Sequence, residues 1–287
     1  MDKEQIAIER IRAASEMSFA RTGQPISIGY SGGKDSDVIL EIAKRSGVPF
    51  EVHHNHTTVD APQTVYHVRD VFRELELNGI TCKINRPPMS MWQLIQHKKT
   101  PPTRVMRYCC DILKEQYGRG RHMVFGIRWE ESAKRTGRGI HEKTHRDPKK
   151  RIMLCGDNDD KRRLTEFCTV KDIVGTNPII DWKLGEVWDY INSENIEQNS
   201  LYERFPRVGC IGCPMSDKKR ESEFLFFPKY KDAYIQTFGR TIEIRKSLGM
   251  TNRFNWQTAE DVFHWWMEDG YDPNQIEFDY ELEELQT

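Results

Sequence analysis

One run of six residues has the composition of a phosphate-binding loop. It consists of Ser31, Gly32, Gly33, Lys34, Asp35 and Ser36. A short apolar run precedes it and an amphipathic run follows, so the pattern predicts a strand, a loop and a helix whose exposed amides and dipole favour an anion. The glycines let the main chain approach phosphate, while the lysine and the two serines supply charge and hydroxyl donors. A capped polar turn is the alternative interpretation.

Four of the seven cysteines have the spacing of metal ligands. They are the adjacent pair Cys109 and Cys110, and Cys210 and Cys213 in a Cys-x-x-Cys-Pro stretch. Four thiolates are the number that a [4Fe-4S] cluster requires. Four-thiolate zinc uses the same ligands and is the alternative. No chemistry is predicted for the remaining cysteines, Cys82, Cys155 and Cys168, because buried thiols often serve only in packing.

Three further polar residues follow predicted strands. Arg128 suits a phosphate or sulfate, which a guanidinium can bind through two parallel hydrogen bonds, although pairing with Glu131 would also explain it. Ser132 lies four residues further on. Asp60 is predicted to orient a nucleotide or a metal-bound water, or to be an ordinary turn residue before Ala-Pro.

The elements that hold these residues alternate between strand and helix patterns. Strands are predicted at 25–30, 50–54, 80–84, 122–127 and near 178–180. This alternation favours a Rossmann-like α/β fold, in which helices cover both faces of a parallel sheet and ligands bind at the carboxyl ends of its strands. The nucleotide-binding domain is predicted to span residues 1–185, with a mobile charged insertion at about 136–176. Residues 186–287 are predicted to form a helical C-terminal cap that carries the second half of the four-cysteine site.

Composition limits the class of protein. The chain has 287 residues, of which 37% are hydrophobic and 30% charged, and its formal net charge is −1. These values fit a globular chain without a membrane partner, and they carry no overall nucleic-acid signature. The amino terminus reads as an amphipathic helix rather than a signal peptide, so we expect a cytoplasmic, reducing location.

The phosphate loop closely resembles the signature of the PP-loop ATP pyrophosphatases, or adenine nucleotide α hydrolases. Three other stretches resemble the phosphoadenosine phosphosulfate (PAPS) reductase branch of that superfamily. They are the Asp/Thr-rich segment 54–64, the Gly-x-Arg-x-x-x-Ser element at 126–132, and Asn177–Trp182 followed by Val187-Trp188. The cysteine arrangement is similar to that of iron-sulfur adenylyl sulfate (APS) reductases and of DNA phosphorothioation sulfurtransferases.

This resemblance implies that the chain adenylates an acceptor, cleaving ATP with Mg²⁺ to AMP and pyrophosphate, for iron-sulfur-dependent sulfur transfer. Lys34, Asp35 and Arg128 would be catalytic, and the loop with Asp60, Arg128 and Ser132 would bind the nucleotide. A cysteine desulfurase or a thiol reductant would supply sulfur or electrons. A basic group would guide a nucleic-acid acceptor or form a solvated loop, and it comprises Lys134, Arg135, Arg138, Lys149, Lys150 and Arg151.

Two other functions compete with sulfur transfer. The first is reduction of APS or PAPS. Sulfonucleotide reductases use a cysteine in a carboxyl-terminal Glu-Cys-Gly-x-His stretch, whereas no cysteine follows Cys213 in this sequence. An external thiol or Cys168 would have to replace it. The second is a nucleotide-sensing module that binds ATP without turnover, which the retained Lys34, Asp35 and Arg128 disfavour.

Overall fold

The computed structural model covers most of the chain. The residues it describes are 2–115, 117–133, 135–144, 152–154, 173–216, 219–250 and 255–268. The chain divides into two compact units. Unit 1 comprises Met1–Met91 and Cys109–Cys210, and unit 2 comprises Trp92–Tyr108 and Ile211–Thr287. The predicted domain boundary near residue 185 stays a prediction.

Unit 1 contains one seven-stranded sheet. Its strands are β1 (Ile26–Gly29), β2 (Phe50–Asn55), β3 (Cys82–Asn85), β4 (His122–Val124), β5 (His141–Thr144), β6 (Ile152–Leu154) and β7 (Ile173–Thr176). They lie in the order β3-β2-β1-β4-β7-β5-β6. The first five in this order pair in parallel, whereas β5 is antiparallel to both β7 and β6. The loops after β1 and β4 therefore meet where the strand order reverses, which is the usual ligand crevice of such sheets.

Helices connect the strands of unit 1 and bury its core. They are α1 (Lys3–Thr22), α2 (Lys34–Ser46), α3 (Pro62–Leu77), α5 (Tyr108–Leu113) and α6 (Leu184–Ser193). Helix α1 begins where the Asp2 side chain accepts a hydrogen bond from the Glu4 amide, and it ends at Gly23 in the left-handed conformation. Its buried face carries Ile8 and Ile11, in register with the predicted amphipathic pattern. The chain thus has the predicted Rossmann-like α/β fold.

Unit 2 is helical. Its elements are α4 (Met91–Lys98), α7 (Lys219–Phe226), α8 (Pro228–Ser247) and α9 (Ala259–Met267), of which α4 begins at the last residue of unit 1. Trp266 is 1% exposed and packs against the rings of Phe224, Tyr234 and Phe238. Aromatic burial on this scale dominates the stability of a small helical core. Within the described part of the chain, no helix is both long enough and apolar enough to cross a membrane.

The predicted position of the fifth strand was wrong. The strand expected near 178–180 is instead β7, and Pro178 begins a turn because it has no amide to donate to a ladder. Strands β5 and β6 lie inside segment 136–176, whose assignment as a mobile charged insertion stays a prediction. The two β5 residues whose buried side chains would reveal a strand are polar, His141 and Glu142, so no apolar alternation marks them. Residues 145–151 and 155–172 of that segment, with Cys155 and Cys168, lie outside the described residues.

Candidate active site

The phosphate loop follows β1 and leads directly into α2. Gly32 has a φ of +72°, and a Cβ there would lie 3.0 Å from Val68 Cγ2, so the turn requires glycine. The Ser36 hydroxyl holds the loop together, because it accepts from the Gly33 amide at 3.1 Å and donates to the Gly33 carbonyl at 2.7 Å. The amides of Gly32 and Asp35 donate to no group in the described part of the chain. Unpaired amides at a helix N-terminus are suited to an anion.

Three charged side chains form a connected row at the loop. Lys34 Nζ lies 2.9 Å from Asp35 Oδ2, and Arg128 Nε lies 2.7 Å from Asp35 Oδ1. Lys34 and Arg128 are both buried, at 8% and 3% exposure. Since both carboxylate oxygens accept from cations, Asp35 is placed to position those two cations rather than to accept a proton. The loop and β4 thereby present two positive groups beside unpaired amides.

Arg128 is more constrained than its predicted pairing with Glu131 would require. Its guanidinium is buried, with Nη1 3.0 Å from Glu130 Oε2, and Glu131 accepts only from its main-chain amide, at 3.0 Å. Among the described residues, Nη2 makes no hydrogen bond. Arg128 is therefore fixed in place with one nitrogen left for an added anion.

Gly126 explains how β4 approaches the loop. A Cβ at this position would lie 2.8 Å from the main-chain oxygen of Asp35, closer than packed atoms come. The Gly-x-Arg element therefore combines a close approach with the arginine that uses it. Ser132, by contrast, is exposed at the end of the 3₁₀ turn Trp129–Glu131, and no contact joins its side chain to the loop in the described structure.

Two residues at the loop were missed in the sequence. The Tyr202 hydroxyl accepts a hydrogen bond from the Lys34 amide at 2.9 Å, and Asn199 Nδ2 donates to the Gly32 carbonyl at 3.1 Å. Tyr202 belongs to the 3₁₀ turn at Ser200–Glu203, which Asn199 caps. Burial, with the nearby Asp35 carboxylate, raises the pKa of Tyr202, so its hydroxyl stays protonated. The only sequence signal for these two contacts was a potential capping residue, Asn199, three positions before Tyr202.

Asp60 lies at the end of β2 rather than at the phosphate loop. Its carboxylate accepts from the Thr57 amide and the Thr57 hydroxyl, both at 2.7 Å. Burial acts to raise the pKa of Asp60, but hydrogen bonds from His56 and Thr57 outweigh it and hold the pKa below its usual value. Asp60 also forms an antiparallel main-chain bridge with Cys210. A role for Asp60 in nucleotide binding stays a prediction.

Three of the four predicted metal-ligand cysteines belong to unit 1. Cys109 and Cys110 lie in α5, and Cys210 Sγ is 3.4 Å from the Thr57 hydroxyl. Lys114, just beyond α5, donates a hydrogen bond to Cys210, and the Cys210 charge is the largest cause of a raised Lys114 pKa, with Asp60 and Cys110 contributing. A cation beside a thiol stabilises the thiolate, which is the metal-binding form. The sequence offered no signal for Lys114 apart from its position four residues after Cys110.

Cys213 belongs to unit 2, in a turn that the unit fixes internally. Gly212 has a φ of +71°, and a Cβ there would lie 2.6 Å from the Phe224 ring. Its amide donates to Glu223 Oε2 at 2.9 Å, and the Cys213 carbonyl accepts from the Ser216 amide at 2.8 Å. The glycine of the Cys-x-x-Cys stretch is thus required by its conformation. Its place as a cluster ligand stays a prediction from the sequence.

Two members of the predicted basic group pair with carboxylates. Arg135 pairs with Glu131 and Arg138 with Glu142, so both positive charges are already matched. Such pairs reduce the charge available to phosphate. The other members, Lys134, Lys149, Lys150 and Arg151, lie outside the described residues. A nucleic-acid acceptor stays a prediction.

Comparison with known proteins establishes the family. The model of the phosphoadenosine phosphosulfate reductase domain matches residues 25–216, and the chain belongs to that family. The match covers the loop, the Gly-x-Arg element and all four cysteines.

Individual relatives are distant. An uncharacterized protein of Methanocaldococcus jannaschii is 24% identical over 78% of this chain, which covers 48% of that relative. An adenosine 5'-phosphosulfate reductase of Oceanobacillus iheyensis is 21% identical over 67% of this chain and 72% of its own length. The crystal structure of a PAPS reductase from Candida auris has a TM-score of 0.46 and 17% identity, covering 71% of this chain and 87% of that one. The chain thus spans about half the length of its archaeal relative.

Proposed function

We propose that this chain cleaves ATP between the α and β phosphates and adenylates an acceptor for sulfur transfer. The observation that carries the proposal is the row Lys34, Asp35 and Arg128 beside the unpaired amides of the phosphate loop. Preorganised positive groups stabilise the charge that develops during phosphoryl transfer, which is the main catalytic task in such reactions. Membership of the PAPS reductase family supports nucleotide chemistry on this fold.

The chemistry requires one displacement at phosphorus. An acceptor oxygen forms a bond to the α phosphorus, its proton is released, and the bond to the α,β-bridging oxygen breaks so that pyrophosphate leaves with the electron pair. Lys34 and Arg128 Nη2 would meet the phosphate oxygens, while Asp35 holds both cations in place. Magnesium bound with ATP would add to this charge stabilisation. A sulfur nucleophile then displaces AMP from the acceptor.

The cysteines support the sulfur half of the proposal. Cys109, Cys110, Cys210 and Cys213 would hold a [4Fe-4S] cluster, and that cluster would supply a place to carry or position sulfur. Lys114 beside Cys110 and Cys210 would balance part of the negative charge of the thiolates. A sulfur donor, such as a cysteine desulfurase or a small thiol, is the partner that this chemistry needs.

The proposal is tested by identifying which phosphate bond of ATP is cleaved. ATP incubated with the anaerobically purified protein should yield AMP and pyrophosphate, slowly if the true acceptor is missing. A β,γ-methylene analogue should still be cleaved, whereas an α,β-methylene analogue should be inert. Lys34→Ala should abolish the activity, and Lys44→Ala on the outer part of α2 should keep it. Production of ADP and orthophosphate that depends on Lys34 would refute α,β cleavage.

Reduction of a sulfonucleotide is the second candidate. Family membership and the APS reductase relative favour it. The two functions separate when the protein is given APS or PAPS with a thiol reductant. Stoichiometric sulfite release from either nucleotide, without turnover of ATP, would replace the sulfur-transfer proposal with reduction. Tight ATP binding with no cleavage in any mixture would instead indicate the sensing module.

A further inference from the structure

The end of β2 brings two histidines and an aspartate together. His54 lies in β2 and His56 just beyond it, two positions apart, so both side chains emerge on the same face of the extended chain. One donor atom from each of His54, His56 and Asp60 can be chosen so that all three lie within 4.8 Å of one another. We call these three residues the His-Asp site. Within the described part of the chain, no other set of three metal-ligating side chains is this close.

His54 is oriented as a metal ligand usually is. Its Nδ1 lies 3.0 Å from the main-chain oxygen of Tyr30. A carbonyl oxygen only accepts, so this contact places the ring proton on Nδ1 and leaves the lone pair on Nε2. Metal-binding histidines typically donate their second nitrogen in this way, which fixes both the tautomer and the ring orientation.

His56 and Asp60 are spaced as two ligands of one ion. His56 Nδ1 lies 3.1 Å from Asp60 Oδ2. Two ligands of a tetrahedral zinc ion, with bonds of about 2.0–2.1 Å, stand about 3.3 Å apart. The two hydrogen bonds from Thr57 hold the Asp60 carboxylate in position, as outer partners do at metal sites. A metal ion would replace the proton that His56 and Asp60 share.

Charge and ligand type decide which cation suits the His-Asp site. Lys114 is the charged group that opposes a metal here, since its ammonium interacts with both Asp60 and His54. Its charge is partly neutralised by Cys210 and Cys110. Two imidazoles and one carboxylate prefer zinc and its transition-metal neighbours to magnesium.

We propose that His54, His56 and Asp60 bind one zinc-type divalent ion, separate from the four cysteines and from the magnesium that accompanies ATP. Three protein ligands leave a fourth position open for water or a substrate oxygen, as in catalytic rather than structural zinc sites. Tyr30, whose carbonyl orients His54, immediately precedes the phosphate loop. The open position therefore lies on the edge of the sheet where this fold binds ligands.

Metal content of the full-length protein tests the proposal. Protein is purified anaerobically, dialysed against a mild chelator, titrated with Zn²⁺ and analysed for zinc and iron together. Wild type should take up one zinc per chain in addition to its iron. His54→Gln, His56→Gln and Asp60→Asn should each weaken zinc binding at least tenfold without loss of iron, and His97→Gln, which changes an exposed histidine, should bind zinc as wild type does.

Cobalt identifies the ligands and separates this site from the thiols. Replacing all four predicted cluster cysteines with serine removes the competing thiols, and Co²⁺ bound to this variant should give tetrahedral visible bands without thiolate charge-transfer absorption. Loss of zinc in the folded four-serine variant, or full zinc binding by the folded His56→Gln variant, would overturn the proposal. Because His56 is part-exposed, its substitution should leave the fold intact, which circular dichroism can verify. The assay contains no nucleotide, so its outcome is independent of whether ATP is cleaved.

Discussion

The phosphate loop and the end of β2 lie at the carboxyl ends of neighbouring parallel strands but present different chemical groups. The loop uses six consecutive residues, and its binding groups are mostly main-chain amides with their dipoles aligned. The end of β2 uses side chains, namely His54, His56 and Asp60. The first environment suits a large anion and the second a metal cation. One edge of the sheet can thus serve two ligands of opposite charge.

Tyr30 connects these two regions through its own peptide groups. Its amide donates to the His53 carbonyl at 2.8 Å, and its carbonyl accepts from His54 at 3.0 Å. The Tyr30 side chain is also fixed, because its hydroxyl donates to Asp37 Oδ1 at 2.5 Å below the loop. Whether each region can be altered without disturbing the other is open to test.

The largest effects should come from one substitution in each region, with iron content and ATP affinity measured for both variants. Cys210→Ser should reduce iron from about four per chain to nearly none, since a cubane needs all four thiolates, while ATP affinity stays within twofold. Lys34→Ala should weaken ATP binding by about 10–100-fold, because it removes a buried charge that faces phosphate, and should leave iron unchanged. Iron analysis and calorimetry on the same preparations measure both.

A control variant and one contradictory result complete this pair of experiments. Cys82→Ser alters a half-buried thiol of β3 and should keep both iron and ATP affinity. If Cys210→Ser lost ATP affinity as strongly as Lys34→Ala while remaining folded, the two regions would form a single site. The comparison between them would then be wrong.

An intermediate effect is expected at the close approach between β4 and the loop. Gly126→Ala places a methyl group 2.8 Å from the Asp35 oxygen, so the main chain must shift. Overpacking of this kind costs about 1–3 kcal/mol, which would weaken ATP binding about tenfold if the shift falls on Asp35 and Arg128. Gly137→Ala, with no atom within 4 Å, is the matched control. Equal ATP affinity in both variants would show that the loop tolerates the shift.

The phosphate loop, whose residues are contiguous in the sequence, could be predicted. The His-Asp site, whose residues meet only in the folded chain, could not. The loop, the first four strands and the Gly-x-Arg element each have a local signal in glycine placement or apolar pattern. His54 lay at the end of a predicted strand and His56 two positions beyond it, but no metal site was predicted there. Nothing local, however, showed that Asp60 would turn back toward them.

Two further failures have the same physical origin. Strand β5 was missed because its buried residues His141 and Glu142 are polar and find partners only in the folded state, where Thr176 bonds His141 and Arg138 bonds Glu142. Tyr202 was missed because its contact with the Lys34 amide joins residues far apart in the chain. Periodicity reports which residues avoid water, and it carries no information on which polar groups will satisfy one another.

The smallest expected effect concerns whether Tyr202 competes with phosphate for the loop. In the nucleotide-free protein its hydroxyl accepts from the Lys34 amide at 2.9 Å, so Tyr202→Phe should lower the free energy of unfolding by about 0.5–1.5 kcal/mol. If phosphate takes over that amide, the lost bond weakens only the free state, and ATP affinity should rise about two- to tenfold. Thermal unfolding and calorimetry measure the two quantities, and Tyr66→Phe, at an exposed tyrosine of α3, should change neither. A fall in ATP affinity in Tyr202→Phe would show instead that the hydroxyl donates to phosphate, because burial keeps it protonated. Tyr202 would then belong to the binding groups of the loop rather than hold its place when the nucleotide is absent.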